Sequence, residues 1–301
     1  MEKGNVLIMG NSGVGKSTLI NSVLGKEVAK TSWGPSSTTS RIDSYENDEI
    51  PFRLIDTIGF EPSFIKEQKA INAVKKWTKE GVKEGKEEKK INVIWFCIEG
   101  TTGKLFPKTL KNLASATSIW KSVPVIIVIT KSYSVPDREK NLEMVNKVLE
   151  KNTKIAERVR AVIPVVSMVY RLNDTAFAPV DGITELIDAT NEALPEGIKA
   201  AEKDVSAYKL SRKRIFAQSV IGVSTASGAV IGAVPIPIAD AFILTPLETV
   251  EINSIASIYG IKKTEKSKVV MTTIVEIGTV SLAAKAIISA LKAIPGVNLA
   301  A

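Results

Sequence analysis

Over the first two-thirds of the chain, short apolar runs rich in β-branched residues alternate with longer stretches whose apolar positions recur at helical spacing. A strand buried on both faces reads as a continuous apolar run, so this alternation predicts an α/β domain with a mainly parallel sheet. The expected strands are Asn5–Met9, Arg41–Tyr45, Phe52–Ile55, Asn92–Ile98, Val123–Ile129 and Val162–Val166. The expected helices are Lys16–Leu24, Phe64–Glu80, Pro107–Lys121, Pro136–Ala156 and Gly182–Ala193. Only Glu46–Ile50 links the second and third strands, which calls for an antiparallel hairpin at one edge. Lys79–Lys90 (KEGVKEGKEEKK) reads as a solvated loop or helix end of mixed charge.

After Leu194-Pro195 the pattern changes: strand signals stop, and Ala, Gly, Ser, Val and Ile dominate. A boundary near Pro195–Lys203 divides the chain into an α/β domain over 1–195 and an all-helical domain over 196–301. Ile215–Ala239 carries no charge, and a second apolar segment begins at Val269. Basic residues precede both: Lys209, Arg212, Lys213 and Arg214, then Lys262, Lys263, Lys266 and Lys268.

Composition narrows the chemistry. The absence of His excludes imidazole acid/base catalysis and imidazole metal ligands, and the single Cys97, inside INVIWFCI, excludes an internal disulfide and suits a reducing cytoplasm. The apolar stretch before Gly10, Val6–Met9, is four residues, shorter than a secretory signal needs. Net charge is +8, and from Lys199 onward 12 Lys and Arg face 7 Asp and Glu. That balance fits an anionic membrane, nucleic acid or solubility, and by itself chooses none of them.

The strongest motif is Gly10-Asn11-Ser12-Gly13-Val14-Gly15-Lys16-Ser17, a G-x-x-x-x-G-K-[S/T] pattern between an apolar strand and the helical run that opens at Lys16-Ser17-Thr18. Its glycines let the backbone turn so that the N–H groups of residues 11–18 point at phosphate oxygens, and the helix adds its positive end. Lys16 reaches the β- and γ-phosphates as a point charge, and the Ser17 hydroxyl binds Mg²⁺. Asp56-Thr57-Ile58-Gly59 ends a strand beside the first: a carboxylate there holds Mg²⁺ through water, and the Gly59 N–H senses a γ-phosphate. The polar segment Thr31–Arg41 lies between, with Thr38 and Thr39 as candidates to close on Mg²⁺ in the triphosphate state.

With Thr38-Thr39 before Arg41, the chain resembles the translation-factor-related P-loop GTPases, particularly the Era-like group. The resemblance implies a Ras-like G domain that binds GTP and GDP with Mg²⁺, and aligning its pattern puts the Mg²⁺-binding threonine at Thr39. It implies base contacts from Thr130-Lys131 after the fifth strand, and from Ser167-Met168 after the sixth, whose backbone touches the base oxygen. One position departs. The superfamily's guanine-reading Asp is replaced by Tyr133, with Asp137 four residues on as a substitute.

Phosphoryl transfer needs positioning and charge neutralisation more than covalent help. Lys16, Thr39 and Gly59 are the residues expected to act on the transferred group. Where Ras-like proteins orient water with Gln, this chain has Phe60, followed by Glu61. Hydrolysis is therefore expected to be slow and stimulated by self-association or a protein partner through the G domain.

Ser211–Gly260, with its GAVPIPIAD turn and a Tyr-Gly end, resembles the helical domain of unknown function behind Era-like G domains in many bacterial proteins. Such domains run past the Pro295–Val297 sequence, so the resemblance implies a domain cut short at Ala301. Two readings stay open: a soluble or peripheral bundle, and membrane insertion, with Pro235, Pro237 and Gln218 weighing against a simple span and the Ser224, Gly228, Gly232 spacing offering a smooth packing face in either solvent. Asp240 reads as a helix cap. The functional expectation is a regulatory GTPase that switches this domain, cytoplasmic and peripheral at, or inserted in, the inner face of the membrane through 209–301. The rivals are an RNA- or ribosome-associated assembly GTPase and a nucleotide-gated membrane effector. The lack of glycine-loop and aromatic-stacking signatures disfavours nucleic acid.

Overall fold

The computed structural model describes residues 3–29, 42–57, 90–101, 117, 120–171, 176–200, 202–232 and 250–261. Strands β1 (Gly4–Gly10), β2 (Ile42–Glu46), β3 (Phe52–Thr57), β4 (Ile91–Glu99), β5 (Val125–Thr130) and β6 (Val159–Pro164) form one six-stranded sheet in the order β2-β3-β1-β4-β5-β6. All neighbours are parallel except β2 and β3, which pair antiparallel at the edge with Tyr45 opposite Leu54. This is the Ras-like sheet the sequence predicts, edge hairpin included. Every residue of β1 and β5 is buried, which is why both read as unbroken apolar runs.

Alternation along β4 sends residues to both faces. Ile94, Phe96 and Ile98 join Leu7, Met9, Ile127 and Ile129 in a core covered by Leu142, Val145, Val148 and Leu149 of helix α2 (Val135–Glu150). Trp95 is fully buried, edge-on to Phe52 at 6.0 Å, and its indole N–H donates to Thr190 Oγ1 at 3.0 Å on helix α4 (Ile183–Ala193). Burying an indole with its N–H satisfied removes the cost such a group otherwise carries. Helix α1 (Lys16–Leu24) follows β1 after the short loop 11–15 and ends at Gly25, whose φ of 75° closes it in the left-handed conformation.

Two boundaries differ from the sequence expectation. The sixth strand is Val159–Pro164, not Val162–Val166. The predicted Pro136–Ala156 helix breaks at Lys151–Asn152 into α2 and the short α3 (Thr153–Ala156), because Asn152 turns its side chain back onto Val148 O at 2.7 Å. The predicted helices 64–80 and, apart from residues 117, 120 and 121, 107–121 lie outside the described residues.

The chain divides into two compact units: Met1–Met168 with Val180–Arg212, and Val169–Pro179 with Lys213–Ala301. Helix α5 (Glu202–Gly232) contributes its opening turns, through Arg212, to the first unit. There Arg212, 5% exposed, donates to Ser22 O at 2.8 Å, Tyr208 donates to Val23 O, and Asn47 reaches Leu24 O at 2.8 Å. These three are last-turn carbonyls of α1, which lack intrahelical partners, and a buried cation also complements the negative end of the helix. In the second unit a short hairpin pairs β7 (Tyr170–Arg171) with β8 (Phe177–Ala178), and Arg171 donates to Val223 O at 3.2 Å. Phe216, Ala217, Val220 and Ser224 form the buried stripe of α5, and residues 250–258 are helical. Among the described residues no helix is long and apolar enough to cross a membrane. The Pro235–Asp240 turn and the second apolar segment lie outside the described residues.

Candidate functional site

Parallel strands bring their carboxyl ends to one edge of the sheet. The registers Ile8↔Asp56, Gly10↔Cys97, Glu99↔Thr130 and Ile129↔Pro164 set the ends of β3, β1, β4, β5 and β6 side by side there. β1 is the point where successive connections leave in opposite directions, the place where open α/β sheets bind ligands.

At Gly10 a Cβ would stand 2.7 Å from Cys97 O, so the chain leaves β1 where only glycine fits. Gly13 (φ 78°) and Gly15 (φ 101°) are left-handed, and nothing lies within 4 Å of a Cβ built on Gly13. The loop closes on itself through Val14 N–H to Asn11 O at 3.3 Å. Lys16 Nζ folds back over it and donates to Gly10 O at 2.9 Å and Asn11 O at 3.1 Å. Ser12 and Gly13 are exposed, Val14 is buried, and Asn11, Gly15, Lys16, Ser17 and Thr18 are half-buried. Gly15 caps α1 without a side-chain bond and the first turn holds no acidic residue, so that turn's amides are available to an anion.

Asp56, 5% exposed, is the penultimate residue of β3 and pairs beside Ile8. It and Lys16 both act on Cys97: burial pushes the thiol up to about 12, with the Lys16 ammonium opposing and the Asp56 carboxylate adding to the rise. Hydroxyl and carboxylate are hard oxygen donors, which suits Mg²⁺. Among the described residues no group of three or more His, Cys, Asp or Glu gathers to hold a metal. A cation here would take its remaining ligands from phosphate and water, the usual habit of Mg²⁺. Thr39, Gly59, Phe60 and Glu61 lie outside the described residues.

The side next to β5 is tied to the phosphate loop by a buried hydroxyl. Thr130 Oγ1 lies 2.6 Å from Val14 O and 3.1 Å from Ile98 O. Lys131 has φ 53°, the one positive φ at a non-glycine among the described residues, and its ammonium pairs with Glu99 at 2.8 Å. A left-handed lysine costs energy, so its surroundings must hold it there. Ser132 N–H donates to Val165 O, and Tyr133 N–H turns back to Lys131 O. Ser167 is half-buried and Met168 is 59% exposed, on the loop after β6. Asp137 occupies the first turn of α2, where its N–H donates to the capping Ser134 Oγ and its exposed carboxylate faces Lys140.

The structure thus brings Gly10–Thr18, Asp56, Thr130–Lys131 and Ser167–Met168 to one edge. Sequence reasoning missed Glu99, which also accepts from Thr101 at 2.9 Å, and the Arg138–Asp181 ion pair beside the loops that follow β5 and β6. A charged residue directly after the apolar run of β4 was the available signal for Glu99.

A family model described as "50S ribosome-binding GTPase" matches residues 5–131. GTPase Era of Vibrio parahaemolyticus is 30% identical over 137 residues, 45% of this chain and 39% of the relative. GTPase Der of Geobacter metallireducens is 32% identical over 127 residues, 42% of this chain and 26% of the relative. The chain thus spans well under half the length of the curated relatives it matches. Aquifex aeolicus Era, solved bound to GDP·AlF4⁻, is 22% identical with a TM-score of 0.46, over 65% of this chain and 58% of the other. With its glycine-rich loop, overlying Lys16 and six-stranded sheet, the stretch 5–131 of this chain is similar to the G domains of Era-like P-loop GTPases.

Proposed function

We propose that this protein binds GTP and GDP with Mg²⁺ and hydrolyses GTP slowly, its nucleotide state governing the C-terminal helical region. The observation that carries the reading is the phosphate loop: a cradle that only glycines permit, with Lys16 lying across it and Thr130 bracing it from β5. A polyphosphate entering the loop would take the Lys16 ammonium from two backbone carbonyls, exchanging neutral acceptors for charged ones. Mg²⁺ would be held by Ser17, Asp56 and, from the Thr31–Arg41 segment, Thr39. When bound, the ion neutralises charge on the transferred phosphoryl group. Lys16, Thr39 and the Gly59 N–H are the groups assigned to the γ-phosphate.

Coupling to the C-terminal region is supported by the grip of α5 on α1. The first turn of α1 follows the phosphate loop, and its last carbonyls are held by Tyr208 and Arg212. Both ends of a nine-residue helix are thereby committed. Phe60 replaces the water-orienting Gln, which supports hydrolysis completed by self-association or a partner.

Calorimetric titration with GTP, GDP and ATP analogues in Mg²⁺ tests the reading. Guanine nucleotides should bind tightest, because Thr130-Lys131 and the motif order remain despite Tyr133; equal or tighter ATP binding would overturn that choice. Turnover per molecule should rise with protein concentration. Liposome flotation with and without a non-hydrolysable GTP analogue tests contact with an anionic membrane through 209–301. A second reading, ribosome or RNA contact, is favoured by the description of the matching family and is tested by an RNA pull-down under the same nucleotide conditions.

A further inference from the structure

Tyr133 leaves the base side without the carboxylate that would bond guanine and order the loop around it. Behind that loop lies a clamp. Arg138, on the first turn of α2, donates from Nε to Ser132 O at 2.6 Å, and its Nη1 pairs with Asp181. Asp181 in turn exchanges two backbone bonds with Val166, each 3.0 Å, immediately before Ser167 and Met168. One planar guanidinium therefore joins the Lys131–Tyr133 turn to the Ser167–Met168 turn. It is the side chain suited to this, since its donors are fixed in a rigid fork. Three residues along α2, Asn141 donates to Gly100 O at 2.8 Å, tying in the loop that carries Glu99, the partner of Lys131. Gly182, directly after Asp181, has φ 74°, and a Cβ there would stand 2.1 Å from Pro164 O, so Asp181 enters through a close approach of backbones.

We propose that Arg138, acting through Asp181, is the positioning residue of the nucleobase half of the site. It holds the two base-side turns at a fixed separation before nucleotide arrives, and so offsets the missing carboxylate by preorganisation. Ordering loops in advance lowers the entropic cost of closing them on a ligand. This inference rests on the nucleotide-binding reading above. Neither Arg138 nor Asp181 touches the phosphate loop in the contacts described, so their effect should fall on the base and not on the phosphates.

The test is titration of Arg138→Ala, Arg138→Lys, Asp181→Asn and the Arg138→Ala/Asp181→Asn double variant with two probes in Mg²⁺, GDP and inorganic tripolyphosphate. Ser132 N–H to Val165 O and the Val166–Asp181 bonds survive all four, which favours folding, and circular dichroism checks it. Arg138→Ala should weaken GDP about tenfold, with tripolyphosphate within about twofold. Arg138→Lys should recover part of the loss, and the double variant should be no worse than Arg138→Ala. Equal losses for both probes, no loss for GDP, or additive losses in the double variant would overturn the positioning role while leaving the phosphate reading standing. Wild-type protein that bound neither probe would overturn that reading, and this one with it.

Discussion

Lys16 is half-buried and, among the described residues, donates to two loop carbonyls, so its ammonium serves the loop and not the core. Lys16→Ala should cut triphosphate affinity about a hundredfold, the scale of a lost charge-assisted contact, with the melting temperature nearly unchanged. A fluorescent-nucleotide titration beside a thermal melt checks both. Thr130 is the opposite case: its hydroxyl is buried between Val14 O and Ile98 O. Thr130→Val keeps the shape and leaves those carbonyls without it, so we expect about 1–3 kcal/mol of destabilisation in urea titrations. Two buried acids give a pH signature. Burial pushes Cys97 from 9.0 and Tyr208 from 10.0 up to about 12 each. Folding favours their neutral forms, so their contribution is complete below about pH 9 and is lost as pH rises toward 12. Urea unfolding between pH 8 and 11 should show falling stability, with a shallower fall in Tyr208→Phe.

Elements show how each motif comes to point where it does. The carboxyl end of β1 delivers the loop, α1 continues from it, and β5 supplies the brace. The first two were legible in the sequence because they are local: a buried strand is an unbroken apolar run, and the glycines and Lys16 stand within seven residues of one another, whereas the brace joins Thr130 to Val14 across 116 residues. The pattern places β6 too late because it is an edge strand, half-exposed, with Arg160 between its apolar residues, whereas the buried Val165 and Val166 lie just past its end. The ion pairs beside the loops after β4, β5 and β6 were illegible for a different reason. Glu99 finds Lys131 across 32 residues and Arg138 finds Asp181 across 43, and no periodicity encodes such meetings. The clasp on α1 spans still more chain, 185 residues from Val23 to Tyr208. It makes its own prediction. Arg212→Ala should strip a buried cation from last-turn carbonyls of α1 and open the space beside Gly25, where a Cβ would meet Arg212 Nη1 at 2.7 Å. We expect about 2–3 kcal/mol of lost stability, from a lost charged hydrogen bond and helix-end charge, read by chemical denaturation.

At the scale of the whole molecule, composition indicates two regions, and the change of character after Pro195 invites a boundary there. The compact N-terminal unit instead includes residues as far as Arg212. Sequence cannot reveal this, because Tyr208 and Arg212 sit in a helix of C-terminal character throughout, and their burial depends on distant Ser22 and Val23. The practical consequence concerns dissection. A fragment cut at Pro195 would miss the last wedge of the N-terminal unit, with Tyr208 and Arg212 gone from the foot of the helix that follows the glycine-rich loop. One carried to Arg214 would keep both side chains. Side by side, the shorter piece should melt lower and, on the proposed function, bind nucleotide more weakly, so a minimal fragment for testing that function should end beyond the arginine.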